Sequence, residues 1–304
     1  MLKTLLGTVT LAAALRLATP LIFAAVGGCF GNKAGIFNIA LESFMLTAAF
    51  FSAYGSYLTA NPYMGVLFGI LAGLLCAVLF GLFVFHLESD GMVVSIAMNL
   101  GAWGLTTLLM LALFGVRGSF MDPRLVSLPA VHMPFLDFLG PVGAVLNDQN
   151  ILVYLAFVSV AVMWIVMYRT PFGLRVRGVG INAKAAQTTG TDVLAYRWKS
   201  LLITGVFCGL AGAVLPLGGT SVFSENMTAG RGFLAVAAIL VGQGNPLAAA
   251  ASCLLFAYAG ALSVGIQNLG IPSQLVETLP YVATILVLLV YGARNLTFRK
   301  KQTP

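Results

Sequence analysis

Two polar residues, Glu42 and Asn99, lie inside long apolar stretches and are the first candidates for chemistry in this sequence. An ionisable side chain costs roughly 2.5–3.5 kcal/mol to insert into a bilayer, so Glu42 is a functional candidate by default. Glu42 follows Lys33 by nine residues and Asn99 follows Asp90 by nine, which in helices places both about 13 Å from one membrane edge. Equal depth predicts that the two side chains share a hydrogen bond or line one polar path. The alternative is a structural pair that locks two helices together.

Two further polar residues belong with this first cluster. Asn38 precedes Glu42 by four residues and is grouped with it as a candidate path residue. Arg16 lies within the first apolar stretch and is an alternative partner for Glu42. A pair between Arg16 and Glu42 would favour a structural role, because opposite charges inside a membrane neutralise each other.

A second polar cluster occupies a glycine-flanked segment before a short apolar run. Its members are Glu225, Asn226, Thr228 and Arg231. The start of a helix presents unpaired backbone amides and a partial positive charge, which suit polar or anionic groups. We interpret the segment as the outer mouth or gate of a path, on the external side. The alternative is a salt bridge and a helix cap that stiffen the loop.

A third group of polar residues lies on a basic loop. Six of the sixteen Lys and Arg residues fall between Arg169 and Lys199, with charge-free stretches on both sides. Basic loops between membrane spans stay in the cytoplasm, so loop 169–199 is predicted to be cytoplasmic. Within it a short helix is predicted, capped at one end by Asn and ended at the other by Gly, where a soluble partner would push. Its candidate contact residues are Asn182, Lys184, Ala185, Ala186, Gln187, Thr188 and Gly190.

The elements that must position these residues are transmembrane helices. The chain is 60% hydrophobic and 8% charged, whereas soluble domains carry about 25% charged residues. Charge-free stretches such as Ser43–Leu87 and Gly232–Val276 are each long enough for two spans of roughly 20 residues. We therefore predict an all-α polytopic membrane protein with about nine transmembrane helices (eight to ten), some of them short or broken. They form a single domain over residues 1–304.

Turn residues between the apolar runs predict the individual spans. The predicted spans are 5–28, 37–59, 63–86, 92–115, 150–168, 200–219, 231–243, 246–268 and 275–293. Counting from the cytoplasmic loop places the N-terminus and loop 116–149 outside and the basic tail 294–304 inside. The span 231–243 is the shortest, and an extra or re-entrant helix there would change the count.

The sequence lacks the signatures of an enzyme. It contains no GxxxxGK[ST] loop for nucleotide phosphates and no Ser/His/Asp, Cys/His or HExxH arrangement. The two histidines, His86 and His132, fall on opposite sides of the predicted membrane, and the four cysteines form no CxxC pair. The net charge of +7 arises from loops at the membrane surface and the tail, which does not indicate nucleic acid. We therefore expect no catalytic activity, no metal and no cofactor bound by this chain.

Five segments resemble one family, in the same order and over nearly the whole chain. They are Ala34–Leu46 (AGIFNIALESFML), Pro171–Gly190 (PFGLRVRGVGINAKAAQTTG), Phe223–Phe233 (FSENMTAGRGF), Gly244–Ala249 (GNPLAA) and Ile271–Tyr281 (IPSQLVETLPY). They resemble permease subunits of bacterial ABC importers in the branched-chain amino acid and simple-sugar group. The nearest branch imports nucleosides with a basic-membrane-protein-type binding lipoprotein. Ser43 and Phe44 depart from the residues that usually follow the Glu in that branch, which concerns the solute rather than the class.

The resemblance implies a division of labour among several subunits. This chain would form half of a translocation path in the bacterial plasma membrane, and a second, similar permease would form the other half, a heterodimer being favoured over a homodimer. Separate subunits would bind ATP and magnesium, and an external lipoprotein would deliver a small polar solute. The short helix after Asn182 becomes a coupling helix, with Lys184 and Gln187 contacting the ATP-binding subunit. The alternative is an ordinary surface helix.

Three classes of function stay open on the sequence alone. The first is an ABC permease for nucleosides, with simple sugars, riboflavin or branched-chain amino acids as alternative solutes. The second is a stand-alone secondary transporter, which predicts more membrane-embedded carboxylates and a repeat of two halves. The third is a membrane receptor or scaffold, which predicts a soluble sensory or signalling domain.

Overall fold

The computed structural model describes residues 7–132, 134 and 141–267, and most of them are helical. In chain order the elements are α1 (Thr8–Lys33), α2 (Leu41–Thr59), α3 (Pro62–Gly81), α4 (Gly91–Phe114), β1 (Ser119–Met121), β2 (Ala130–Val131), α5 (Pro141–Leu146), β3 (Gln149–Asn150), α6 (Ile151–Arg169), α7 (Pro171–Ile181), α8 (Ala183–Thr188), α9 (Val193–Leu217), β4 (Val222–Ser224), α10 (Arg231–Val241) and α11 (Pro246–Gln267). A π-helical turn, Leu82–His86, continues α3. The predicted helical membrane class is confirmed, with two small antiparallel strand pairs added.

Six helices in the described part are long and apolar enough to cross a membrane. They are α1, α3 with its π turn, α4, α6, α9 and α11. The predicted span 200–219 begins too late, because α9 starts at Val193, where the Asp192 carboxylate caps it by accepting the N–H of Ala195 at 3.0 Å. The more polar α2 and the 11-residue α10 match two further predicted spans. The predicted span 275–293 and the tail 294–304 lie outside the described residues.

Helices α1 and α9 form the centre of the bundle. The side chains of Ile22, Phe23 and Phe30 in α1 are fully buried. Helix α1 packs against α6, α9, α10 and α11, while α9 also packs against α2 and α3. The remaining long helix, α4, packs mainly against α2 and leaves most of its apolar surface exposed, including Leu100 and Trp103. The two central helices therefore connect almost every other element.

Helices α3 and α9 approach each other along a seam of glycines. A Cβ added at Gly205 would lie 2.8 Å from the carbonyl oxygen of Gly73, and one at Gly209 would lie 2.8 Å from that of Gly69. These distances are shorter than a real Cβ atom tolerates, so larger residues would push the helices apart. Close backbone approach is how helices associate where lipid removes the hydrophobic driving force.

The bundle has two chemically different ends. At the end that we call the basic end, Gly180 of α7 packs against Lys33 and Gly35 after α1. At the opposite end, which we call the hairpin end, β1 pairs with β4 so that Phe120 faces Phe223, and β2 pairs with β3. The loop 169–199 and the described residues 116–132 and 141–149 of the other loop therefore lie at opposite ends of the bundle.

Candidate functional site

The chain breaks its helical path just before Glu42. Helix α1 ends because Gly35 adopts a left-handed φ of 76° and the N–H of Ile36 bonds back to the Gly31 carbonyl at 2.9 Å. Residues 34–40 are not helical, and α2 begins at Leu41. The sequence analysis assumed a continuous helical rise from Lys33 to Glu42, and that assumption was wrong. Glu42 lies in the first turn of α2 and is 7% exposed.

The carboxylate of Glu42 binds the start of α10. Its Oε1 accepts a hydrogen bond from the backbone N–H of Gly230 at 2.8 Å, and its Oε2 accepts one from Gly232 at 2.6 Å. Gly230, the N-cap residue of α10, has a φ of 82° and no side chain with which to cap the helix. A helix start has unpaired N–H groups and a partial positive charge, so Glu42 supplies the missing anionic cap. We call this arrangement the Glu42–α10 contact.

Helix α10 is too short to cross a bilayer by itself. Its 11 residues span about 16 Å, roughly half of a hydrocarbon core about 30 Å thick. Its far end reaches the basic end, where a Cβ at Gly244 would lie 3.0 Å from Lys33 Cε. The segment 225–231, which the sequence analysis interpreted as an outer mouth or gate, runs from a contact with Gly118 at the hairpin end to the contact with Glu42. The sequence analysis identified this run as the shortest predicted span, but it did not connect the start of the run with Glu42.

Gly232 allows the two elements to approach closely. A Cβ at this position would lie 2.7 Å from Glu42 Oε2 and closer still to the backbone of Glu42. Any larger residue would therefore displace α10 from α2 and lengthen both carboxylate hydrogen bonds. Gly230 and Gly232 are therefore site residues as well as Glu42. The sequence analysis singled out Glu42 but neither glycine.

Asn99 supports the same turn from the other side, without touching Glu42. Its Oδ1 accepts the N–H of Ser43 at 2.9 Å, and its Nδ2 donates to the carbonyl of Ile39 at 3.2 Å. The hydroxyl of Ser95 accepts the N–H of Ile39 at 3.1 Å. The hydrogen bond predicted between Glu42 and Asn99 is absent from the described structure. Asn99 instead satisfies the backbone where α2 begins.

Arg16 is not the partner of Glu42. Its Nε donates to Oε1 of Gln149 at 2.8 Å, at the hairpin end, and the residue is exposed. The predicted pair was wrong because α1 runs from the hairpin end to the basic end, which separates Arg16 from the start of α2. The contact with Gln149 joins α1 to β3.

The four residues of the second cluster differ in their contacts and in their burial. Glu225 Oε1 accepts the N–H of Gly118 at 2.9 Å and so fastens the segment to the hairpin end. Arg231 donates from Nη1 to the carbonyls of Met227 and Thr228, at 2.8 and 3.2 Å. Thr228 is fully buried, and its hydroxyl has no hydrogen-bond partner in the part of the chain that the structure describes. Asn226 is exposed and has a left-handed φ of 53°.

Asn38 lies beside a small cavity below the Glu42–α10 contact. Its Oδ1 accepts the N–H of Ala40 at 2.7 Å, while its buried Nδ2 has no partner among the described residues. The cavity has a volume of about 20 Å³ and is also lined by Asn32, Thr204 and residues of α10. A polar cavity of that size accommodates one water molecule. Asn38 therefore lies near Glu42, and its role as a path residue stays a prediction.

The predicted short helix on the basic loop is present as α8. The Asn182 side chain accepts the N–H of Ala185 at 3.1 Å, and Gly190 has a φ of 81° just beyond the end of the helix. Lys184 and Gln187 are both exposed. The preceding α7 is a second helix that the sequence analysis did not separate from the loop. Both predicted ends of the short helix are confirmed, because cap and stop are local signals.

Residues 10–290 match the family described as branched-chain amino acid transport system, permease component. The chain is 36% identical over 286 residues to the nucleoside ABC transporter permease NupC of Lactococcus lactis, covering 90% of this chain and 89% of the relative. It is 31% identical over 283 residues to the guanosine ABC transporter permease NupQ of Bacillus subtilis, covering 89% and 88%. Both sequence similarities extend over nearly the full length of each chain.

One solved structure shares the fold. It is described as an inward-facing conformation of a metal-chelate type ABC transporter, and it superposes with a TM-score of 0.51 at 14% identity. The match covers 93% of this chain and 86% of that chain. At this identity the similarity concerns the arrangement of helices alone.

Proposed function

Because the chain belongs to the permease components of branched-chain amino acid transport systems, we propose that it forms half of the path by which an ATP-driven importer moves nucleosides. The chain is a multi-pass membrane protein and a transport component rather than an enzyme. Its family implies an ATP-binding subunit and a partner permease. The nucleoside solute is supported by the two relatives whose names specify a nucleoside and guanosine.

The observation that carries the proposed path is the Glu42–α10 contact. A helix that starts at mid-membrane leaves a non-helical segment, 225–230, between the hairpin end and the bilayer centre. Irregular backbone at that depth is tolerated where it is buried in protein or lines a polar cavity. Asn226 and Phe233 are exposed on either side of the buried Thr228 and Gly232. We propose that the solute passes along this exposed face. Glu42 and Asn99 would hold the starts of α10 and α2 in place behind it.

Phe233 is the residue that would discriminate a nucleoside from a sugar. Its side chain is 46% exposed in the first turn of α10, and an aromatic ring stacks on a nucleobase with about 1–3 kcal/mol per base. Phe233→Ala should lower nucleoside uptake about tenfold, while Phe233→Tyr should keep it. Leu240→Ala is the matched control, because Leu240 is 47% exposed on the same helix.

The experiment uses the transporter reconstituted in proteoliposomes with its second permease, ATP-binding subunit and binding lipoprotein. Uptake of labelled nucleosides, ribose, glucose, riboflavin and leucine is measured for each variant. Nucleoside uptake that exceeds that of every other solute supports the proposal. Uptake of a sugar alone would contradict the proposal that the solute is a nucleoside. Equal nucleoside uptake in Phe233→Ala and Leu240→Ala would contradict the proposal that the solute passes along Phe233.

The exposed helix α8 is proposed to dock into the ATP-binding subunit. Lys184 and Gln187 project from a six-residue helix that makes few contacts with the rest of the chain. Its N-cap, Asn182, follows directly after α7, and its end leads through Asp192 into α9. Only a few residues separate α8 from α9, a central helix of the bundle. A displacement of α8 by the ATP-binding subunit would therefore be transmitted to α9.

The basic end is proposed to face the cytoplasm, which puts the N-terminus and loop 116–149 outside. The six cations of loop 169–199 support this orientation. Whole cells carrying Ser119→Cys should react with an impermeant thiol reagent, while Thr188→Cys should react after permeabilisation. Both positions are exposed and the four native cysteines are buried, so background labelling is low. The reverse pattern would invert the proposed orientation.

A further inference from the structure

A cleft at the basic end holds two charged side chains that have no partner among the residues that the structure describes. It has a volume of about 390 Å³ and lies among the segment after α1, the π turn, the start of α4 and the first two turns of α9. Its lining includes Phe37, Glu88, Leu194 and Arg197. Within the described residues, no hydrogen bond or ion pair joins the side chain of Glu88 or Arg197 to any other group. The two charges therefore line one cleft without neutralising each other.

Of the two side chains, Arg197 has the less favourable surroundings. Its Nε is buried and lacks a hydrogen-bond acceptor. A buried donor without an acceptor is destabilising, and a charged one more so, whereas a guanidinium paired with a carboxylate forms a strong, directional contact. Glu88 has a left-handed φ of 49°, a backbone conformation that a non-glycine residue rarely adopts. The described residues offset neither the unpaired Nε of Arg197 nor the unfavourable backbone conformation of Glu88.

We propose that this cleft is a second docking point for the ATP-binding subunit, which inserts an acidic side chain against Arg197 and a hydrogen-bond donor against Glu88. The inference rests on the proposed function, since it assumes that α8 docks the same subunit. Leu194 and Arg197 lie in the first two turns of α9, whose N-cap Asp192 comes four residues after the end of α8. A subunit bound to α8 would therefore also contact the cleft, because both lie at the basic end.

The apolar rim of the cleft supports a protein partner. Phe37 is 52% exposed and Leu194 is 45% exposed, beside Glu88 and Arg197. A protein contact commonly combines an apolar side chain with a charged group that becomes desolvated. The second docking point would also reach the segment before α2, because Phe37 lies five residues before Glu42. Docking would then act on both sides of the break that precedes the Glu42–α10 contact.

The test measures how much ATP-binding subunit stays bound to the purified complex. Arg197→Gln should weaken retention about tenfold, the loss expected for a charge-assisted hydrogen bond. Arg197→Lys keeps the charge and should retain more. Lys199→Gln is the matched control, because Lys199 is exposed on the same helix, carries the same charge and does not line the cleft; it should change retention less than twofold.

A charge exchange identifies the contact directly. Arg197→Glu should release the ATP-binding subunit, and one Asp or Glu of that subunit changed to Arg should restore binding. Retention in Arg197→Gln within twofold of wild type would overturn the inference, and so would a loss that depends on anionic lipid content, which would indicate a lipid headgroup. If Arg197→Gln lowers the yield of folded complex, cross-linking from Glu88→Cys decides. Cross-links to the ATP-binding subunit support the inference, and their absence overturns it.

Failure of the second docking point is distinguishable from failure of the proposed function. The double variant Lys184→Glu with Gln187→Glu is run in parallel. If it releases the ATP-binding subunit while Arg197→Gln does not, α8 docks alone and the cleft is not a contact. If the wild-type complex binds no ATP-binding subunit at all, the proposed function fails together with the inference.

Discussion

The starts of α10 and α8 show two ways of completing a helix. At α10, the N-cap is a glycine without a side chain, and a carboxylate that lies 188 residues earlier than Gly230 binds the free N–H groups. At α8, Asn182 caps its own helix across three residues, and the surrounding side chains are exposed. Water can satisfy an exposed helix start, whereas within a membrane the protein must do so. The long-range cap is therefore expected where the helix begins inside the bilayer, and the local cap where it begins outside.

The largest effect is expected from Glu42→Leu, which removes both acceptors at the start of α10. Each buried N–H left unpaired costs about 1–3 kcal/mol, and the helix start loses its anionic cap. We expect little assembled complex and no uptake. Glu42→Gln keeps one acceptor oxygen but presents its NH₂ group to the other N–H, so assembly should fall to an intermediate level. Yield by size-exclusion chromatography and uptake on the same preparations measure both effects, and normal uptake per assembled Glu42→Leu complex would remove the contact from the mechanism.

The next effect is expected at the exposed helix, from the double variant Lys184→Glu with Gln187→Glu. Both side chains point away from the bundle, so insertion and folding should be unchanged. The ATP-binding subunit should no longer co-purify, because the contact is polar and reversed in charge. Co-purification at the wild-type level, with normal transport, would contradict the coupling role of α8.

A smaller effect is expected from Asn99→Ala, which tests the support behind α2. The change removes one acceptor and one donor for the backbone of Ser43 and Ile39, and a loss of about 1–3 kcal/mol is expected. Thermal stability of the complex in detergent should fall, while uptake per folded complex should stay near wild type. Thr107→Ala, on the same helix, is a control that should leave the melting temperature unchanged. A selective loss of uptake in Asn99→Ala would instead place Asn99 in contact with the solute.

The smallest effect is expected from Asn182→Ala. Loss of an N-cap costs about 0.5–2 kcal/mol of helix stability, but α8 is exposed and makes few contacts with the bundle. The melting temperature of the complex should therefore stay constant, and only retention of the ATP-binding subunit should weaken slightly. A large fall in melting temperature would show that α8 is an integral part of the bundle.

The sequence predicted those features whose causes are local. Asn182 and Gly190 delimit α8 because a cap and a left-handed glycine act within one turn, and the apolar runs locate the long helices. The Glu42–α10 contact escaped prediction because no spacing rule connects residues 188 positions apart. The error over Arg16 has the same origin, since its partner Gln149 is 133 positions away. A break after the first helix was predicted, between spans 5–28 and 37–59, but its bounds were wrong, because α1 continues to Lys33 and α2 begins at Leu41.

The distance along the chain between Glu42 and Gly232 also has a consequence for biosynthesis. At about 5–20 residues per second, the ribosome adds the intervening 190 residues in roughly 10–40 s. During that interval the carboxylate has entered the membrane region without its two N–H partners. Helices α2 and α4, joined through Ser43 and Asn99, are complete before α10 is made. The insertion machinery must therefore hold an uncapped acidic residue until the last third of the chain arrives, and the closing of this contact marks a late step of maturation.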